Sequence, residues 1–587
     1  MGIGNLVNKP CHCGSGKKYK KCCMNKDVLG IGRLLIPKIA ITDKKGIKHP
    51  IDDDIGRLLS VKGEGEVTEQ DFKSVLKRYS LRDNLILIGD ISRYVFQGNT
   101  EGLGRIGYRE ENTDILISQF SLAYIANMLI LSGASDDSGD NFKDNPYSLF
   151  VLCNIYNNKL ISPDLVKINE GMKKFDNDDF LSFMVRMWYE QMSSFQFNQL
   201  CLMSRNIVFF FDLAGKIIPD KFEKLSDIFF KENKITMEEY LQIGFGFLAG
   251  VKDRIIFSSS YLATAKIPEF ENIYTEEKVN SFLEIVAADY KKFKDLDKEL
   301  NDDLSSVYTK NRFNPLFIFP LVKENINSQD AYIMPNVSTY MFKIYSGIFW
   351  WFHNYFETTG RDKKMHLHYR TYFGKIFEQY VGLILKDIYG LANVNSEFSY
   401  SRGSNMFTDW YIIKENKCYL FEAKAYQFAL LSRQTGDLEA IVNNELKKIA
   451  ASVVEMFKTI KDIDQYEELK NLRGKTFIPV IVFLEIPLAS SAIYKEKVAN
   501  LLSKMEEKNT DLIGLKDFDY HLLNIDELEV YEVVKDKIEI EDIFNNIKND
   551  KSQGFVSYVT RINGNQPSNK FLDKVYNDFW REKLKRK

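Results

Sequence analysis

Two groups of residues in this chain have types and spacings suited to chemistry. The first lies near the start. Four of the seven cysteines, Cys11, Cys13, Cys22 and Cys23, fall within a span that also holds Gly14, Gly16 and four lysines. The other three, Cys153, Cys201 and Cys418, stand alone in apolar surroundings and read as core. In a cytosolic protein such bunched thiols indicate a metal rather than disulfides. Neighbouring thiolates need a compensating cation, and tetrahedral zinc takes four sulfurs well. Gly14 and Gly16 allow the tight turn between the two cysteine pairs.

The second group lies in the C-terminal half. Glu422-Ala423-Lys424 ends an apolar strand pattern, and Asp409 interrupts another. Acid and base at the end of a buried strand are costly unless they are paired or bound to a metal. Glu378 belongs to a helical pattern, with Gly374 and Gly382 one turn to either side on the same stripe. The small neighbours would let that stripe come close to another backbone, with the carboxylate between them.

The elements that must position these groups follow from periodicity. Tyr372–Tyr389 is amphipathic, with Phe373, Ile376, Phe377, Tyr380, Val381, Ile384, Leu385 and Ile388 as its apolar side. Val394–Tyr400, Phe407–Ile413 and Cys418–Ala425 read as three strands, Asp409 sharing a face with Phe407 and Tyr411, and Glu422 and Lys424 with Cys418 and Leu420. A helix is expected over Leu438–Ile460. Phe477–Ile486 reads as a strand buried on both faces. Residues 28–335 read as mainly helical, with Thr113 capping a helix over Asp114–Leu131 and a capping box at Thr236 and Glu239. This region holds no repeat, no phosphate-binding glycine loop and no catalytic signal.

Two resemblances sharpen these readings. Pro10 to Cys23, with its Cys-His-Cys, Gly-Ser-Gly and Cys-Cys, resembles the SEC-C zinc motif, best known from the tail of the preprotein translocase motor ATPase. The resemblance implies Cys11, Cys13, Cys22 and Cys23 as Zn²⁺ ligands, and a docking module for protein or nucleic acid. Many members carry His at the last position, where this chain has Cys23. The order helix, three strands, helix, strand over about residues 370–490, with Asp409 and Glu422-Ala-Lys424, resembles the PD-(D/E)XK nuclease family. Thr408 stands where that family often has Pro.

This second resemblance implies an α/β fold, a mixed sheet flanked by helices as in restriction endonucleases. It also implies a Mg²⁺- or Mn²⁺-dependent endonuclease. Asp409, Glu422 and Glu378 would be the metal carboxylates and Lys424 the group that activates water or steadies the phosphate. Lys447, Lys448, Arg433 and Gln434 are further candidates for substrate contact. His366 and His368, placed on a strand, would share a face.

The expected organisation is a SEC-C motif at 1–27, a mainly helical region at 28–335, a nuclease-like domain at 336–510 and an extension at 511–587. The expected substrate is nucleic acid, with DNA preferred over RNA. A homodimer and a protein partner docked through the SEC-C motif are further expectations, and bacterial restriction or anti-phage defence would suit such an architecture. The alternative is a non-catalytic nucleic-acid-binding adaptor docked to a protein or ribosome.

The whole chain sets limits on this. Its 587 residues are 45% hydrophobic and 27% charged, which is globular composition and excludes a mostly disordered or disulfide-stapled chain. Lys and Arg total 79 against 81 Asp and Glu, a net charge of −2. A globally basic nucleic-acid coat is thereby excluded, although a local basic groove is not. No secretory or membrane segment is read, so the expected location is the cytoplasm.

Overall fold

The computed structural model describes residues 67–108, 117–134, 139–157, 199–219, 222–265, 267–301, 312–326, 328–358, 363–428, 430–486, 489–490, 492–549, 554–565 and 567–585, with a few short pieces elsewhere before residue 186. The four N-terminal cysteines lie outside the described residues.

Among the described residues the middle of the chain is mainly helical, with a small sheet. Its helices include α1 (Leu81–Gln97), α2 (Gln119–Ser132), α3 (Gln199–Ile207), α4 (Met237–Gly250) and α5 (Tyr290–Asn301). α2 starts at Gln119 with Ser118 as its cap, later than the cap expected at Thr113. The capping box of α4 is present: Glu239 N donates to Thr236 Oγ1 at 3.1 Å, and Thr236 N donates to Glu239 Oε2 at 2.8 Å. Between these helices runs a four-stranded sheet in the order β1-β4-β3-β2, formed by β1 (Ile256–Ser258), β2 (Ala287–Ala288), β3 (Leu321–Ile326) and β4 (Gln329–Ile333). Two long helices follow, α6 (Val337–Thr358) and α7 (Lys363–Tyr389).

The second sheet has five strands in the order β9-β8-β7-β6-β5: β5 (Val394–Ser396), β6 (Trp410–Lys414), β7 (Lys417–Gln427), β8 (Thr476–Glu485) and β9 (His521–Asn524). β5, β6 and β7 are antiparallel neighbours, while β7, β8 and β9 run parallel. The sheet is therefore mixed and the fold is α/β. Val480, Ile481 and Val482 of β8 are wholly buried, as an unbroken apolar run requires. The helix expected over Leu438–Ile460 has a six-residue π-helical stretch, Ile441–Leu446, before α8 (Lys447–Asp462).

The period of two along β7 divides the cores. Tyr419 and Phe421 join one apolar cluster, whereas Cys418 and Leu420 join another that includes Val453 and Met456 of α8. The larger cluster takes side chains from the middle region, from α7 and from the C-terminal helices α9 (Ile525–Tyr531) and α10 (Lys570–Lys585). Phe209 meets Phe373 and Tyr380 of α7 edge to face, at 5.4 and 4.9 Å between centroids. Helix α7 is thus packed between the middle region and the five-stranded sheet. Among the described residues, no helix is long and apolar enough to cross a membrane.

Candidate active site

Glu378, Asp409, Glu422 and Lys424 all line one cavity of about 1350 Å³. Glu378 comes from the middle of α7, Asp409 from the residue before β6, and Glu422 and Lys424 from the end of β7. Antiparallel pairing sets Trp410 opposite Phe421, so Asp409 reaches the backbone beyond it. Its Oδ2 accepts the Ala423 N–H at 2.8 Å. The indole Nε1 of Trp410 donates to the Glu378 carbonyl at 2.8 Å, which ties the strand to the helix. Thr408 is buried, and its hydroxyl reaches the Phe421 carbonyl at 2.8 Å.

The glycine stripe on α7 divides by role. A Cβ on Gly382 would stand 2.2 Å from Cζ2 of Trp410, so the close approach is to an indole rather than to a backbone. Gly374 has nothing within 4 Å of such a Cβ and opens on the cavity.

The charges of the site are linked. Burial comes first, then the Glu422 and Glu378 carboxylates, in pushing the Asp409 carboxyl up to about 8. Burial raises Glu378 as well, against the pull of Lys375, whose Nζ donates to Glu378 Oε2 at 2.7 Å. The same Nζ reaches Glu397 at 3.1 Å. Lys424 lies 3.1 Å from Glu422 and 2.9 Å from Glu455 of α8. These two carboxylates hold the ammonium above the ordinary lysine range, against the cost of its burial.

The residue types fit a hard divalent cation: three carboxylates share one wall, and they repel one another at Asp409. Their present placement is occupied otherwise. Asp409 takes the Ala423 amide, Glu378 takes Lys375, and Glu422 takes Lys424. Among the described residues, no group of three or more His, Cys, Asp or Glu is gathered as a metal cluster. Ligation would require Glu378 and Glu422 to turn from their lysines.

Some expected contributors are here and others are not. Lys448 lines the cavity, with Nζ 4.8 Å from the Tyr426 ring centroid and 3.2 Å from its hydroxyl. Arg433 lines it too, 5.7 Å from the Trp350 ring and 3.6 Å from Glu485. Gln434 is buried against Asn301 at 3.3 Å, and Lys447 is exposed outside the cavity. His366 and His368 lie in helix α7 rather than on a strand. Sequence reading missed Lys375, Glu397 and Glu455. It also missed Lys343 on α6, although one lysine inside Tyr340-Met-Phe-Lys-Ile-Tyr345 was a visible anomaly.

Residues 8–25 match the SEC-C motif family. No curated protein matches the chain.

Proposed function

We propose that the chain is a divalent-cation-dependent phosphodiester hydrolase of the PD-(D/E)XK kind, acting on nucleic acid and preferentially on DNA. One observation carries the reading: a helix carboxylate, a carboxylate at the start of one strand and the acid and lysine at the end of the next open on a single cavity. Glu378, Asp409 and Glu422 would hold Mg²⁺ or Mn²⁺. When bound, the cation offsets charge on the scissile phosphate and lowers the pKa of attacking water. Asp409 orients its carboxylate through the Ala423 amide. Lys424, charged and aimed at Glu422, is the donor for the oxyanion that develops on the phosphate. Trp410 fixes the helix against the strand so that Glu378 and Asp409 keep their spacing.

Cys11, Cys13, Cys22 and Cys23 would hold Zn²⁺ in the matched SEC-C segment, as a docking piece for a protein or nucleic-acid partner. A restriction or anti-phage role and a homodimer belong to the same proposal. A second reading has its own observation. The carboxylates are paired with lysines and amides rather than gathered. That state suits a non-catalytic adaptor which binds nucleic acid and docks through the SEC-C segment.

The test is incubation of plasmid, single-stranded DNA and RNA with the purified chain in Mg²⁺, Mn²⁺ or EDTA, beside Glu422→Ala and Lys424→Ala. Metal-dependent cutting lost in both variants supports the hydrolase. A folded wild type that cuts nothing, and whose nucleic-acid binding ignores Asp409→Ala and Glu422→Ala, supports the adaptor.

A further inference from the structure

Away from the carboxylates, the same cavity runs along one stripe of α6: Lys343, Gly347, Trp350 and Asn354. Lys343 is only 8% exposed. Among the described residues its ammonium has no hydrogen-bond or ion-pair partner, and Tyr240 donates only to its backbone carbonyl. Burial, and then the charge of Lys292, lowers it from the ordinary lysine range to about 8. Lys292, from α5, also lines the cavity, with its ammonium 4.2 Å from the Phe319 ring centroid. The Lys343 side chain is buried while its ammonium keeps access to the cavity, a position that an anion there would stabilise. Glu232 and Glu284 line the cavity as well, but neither pairs with Lys343.

The stripe from Lys343 to Trp350 covers two helical turns, about 10 Å at 1.5 Å per residue. Beside it, Phe349 meets Phe373 of α7 at 4.9 Å between centroids, and α7 presents Arg370, Gly374 and Glu378 to the same cavity. The volume exceeds the ~300–1,000 Å³ usual for a small-ligand pocket. Rings in the wall, Trp350 and Phe319 among them, can meet a base only if it is unstacked.

We infer that Lys343 and Lys292 form a phosphate-binding subsite for a single nucleic-acid strand, another phosphate of which lies at Glu378, Asp409 and Glu422. The inference rests on the hydrolase reading for the second phosphate. The lysines bind a phosphate diester away from the cut, and Trp350 supplies a stacking face for a base between the two points. The preferred substrate is then a single-stranded end or gap rather than continuous duplex.

The probe is a fluorescein-labelled oligothymidylate, titrated into the full chain in EDTA and followed by anisotropy. Lys343→Met should weaken binding about tenfold, the loss of one contact to a charged group, and Lys343→Arg should restore most of it. Lys292 is exposed, so Lys292→Met tests the subsite without disturbing a buried position. It should reduce the slope of log affinity against log salt by about one. Wild-type affinity in both methionine variants, with unchanged melting, overturns the subsite. Duplex of the same length binding as tightly as the single strand overturns the strand preference. Displacement by thymidine monophosphate or inorganic phosphate at oligonucleotide-like concentrations would make it a mononucleotide or free-phosphate site and overturn the strand assignment. Lys343-dependent binding in a chain that cuts nothing with any metal would remove the hydrolase reading and keep the subsite. Cutting in a chain whose binding ignores both lysines would do the reverse.

Discussion

Trp410 donates its indole N–H to the backbone carbonyl of Glu378, across the seam between the five-stranded sheet and helix α7. The bond fixes two catalytic candidates through one side chain: Trp410 follows Asp409 directly, and its acceptor belongs to Glu378. Gly382, one turn further along α7, makes room for the ring. Gly382→Ala should therefore destabilise the fold by about 1–3 kcal/mol, the usual cost of overpacking, and lower cleavage by moving Glu378. Gly374→Ala, on the same stripe but facing open space, should leave the fold unchanged or stabilise it by about 0.5–1 kcal/mol through helix propensity. Urea unfolding of the two variants beside wild type checks the contrast. Equal losses would mean that Trp410 does not depend on the space at Gly382.

Asp409 should couple cation affinity to pH. Its folded carboxyl sits near 8, far above the ordinary aspartate value of about 3.9. A raised folded value means that the native state binds the proton more tightly than the unfolded chain does. In the metal-free protein this contribution to stability is fully present below the unfolded value and is lost as pH rises through about 8. A cation must displace that proton. Affinity for Mn²⁺ should rise about tenfold per pH unit below 8 for each proton released, and flatten above it. Asp409→Asn should remove the slope and make the metal-free protein more stable at pH 9 than wild type. Calorimetric titration at several pH values, with melting curves in EDTA, reads both. A flat affinity from pH 6 to 9 would show that Asp409 is not a ligand.

Lys424 lies between two carboxylates that differ in kind. Glu422 belongs to the candidate cation site, whereas Glu455 is an exposed residue of α8. Lys424→Ala should cut the rate about 10²–10³-fold, the scale of losing one donor to a developing oxyanion. Glu455→Gln should cost at most about 1 kcal/mol in stability, as exposed pairs do. By removing one of the two carboxylates that raise the ammonium, it should move the alkaline limb of the rate profile to lower pH. A rate profile unaltered by Glu455→Gln would mean that the Lys424 proton does not limit turnover.

Four strands of the five-stranded sheet were legible because they carry strong local signals, whereas β9 lies in the segment expected as an extension beyond residue 510 and was not read as a strand. The unbroken apolar run of β8 and the alternation that ends in Glu422 and Lys424 need no distant information. The four-stranded sheet of the middle region was not legible. Ala287-Ala288 has no strand signature, and β3 alternates weakly through Lys323, Glu324 and Asn325. That Glu378 and Asp409 line one cavity was implied by the resemblance, but the lysines that engage the carboxylates were not. Lys375 carries no signal of its own in the helix pattern, and Glu455 joins Lys424 only through the docking of α8. Asp409 itself precedes β6 rather than lying within it, because its side chain takes the Ala423 amide where a ladder bond would otherwise be expected.

A buried ion network that no sequence motif includes should prove the most sensitive structural point. Arg205 of α3 holds Glu529 of α9 through Nε at 2.9 Å and through Nη2 at 2.7 Å, and it also pairs with Asp526. Tyr380 of α7 donates to the same Glu529 at 2.5 Å. Three elements separated by more than a hundred residues thus meet at one carboxylate, two positions along α7 from Glu378. Arg205→Met would leave Glu529 buried with a phenol alone, and should cost about 3–5 kcal/mol. Arg205→Lys should recover only part, since an ammonium cannot make the two-pronged contact. The double variant Arg205→Met with Glu529→Leu should be more stable than Arg205→Met by itself, because it removes the unpaired charge instead of the pair's attraction. Urea midpoints of the four proteins decide the matter. A double variant no better than Arg205→Met would mean that the arginine stabilises by packing rather than by neutralising Glu529.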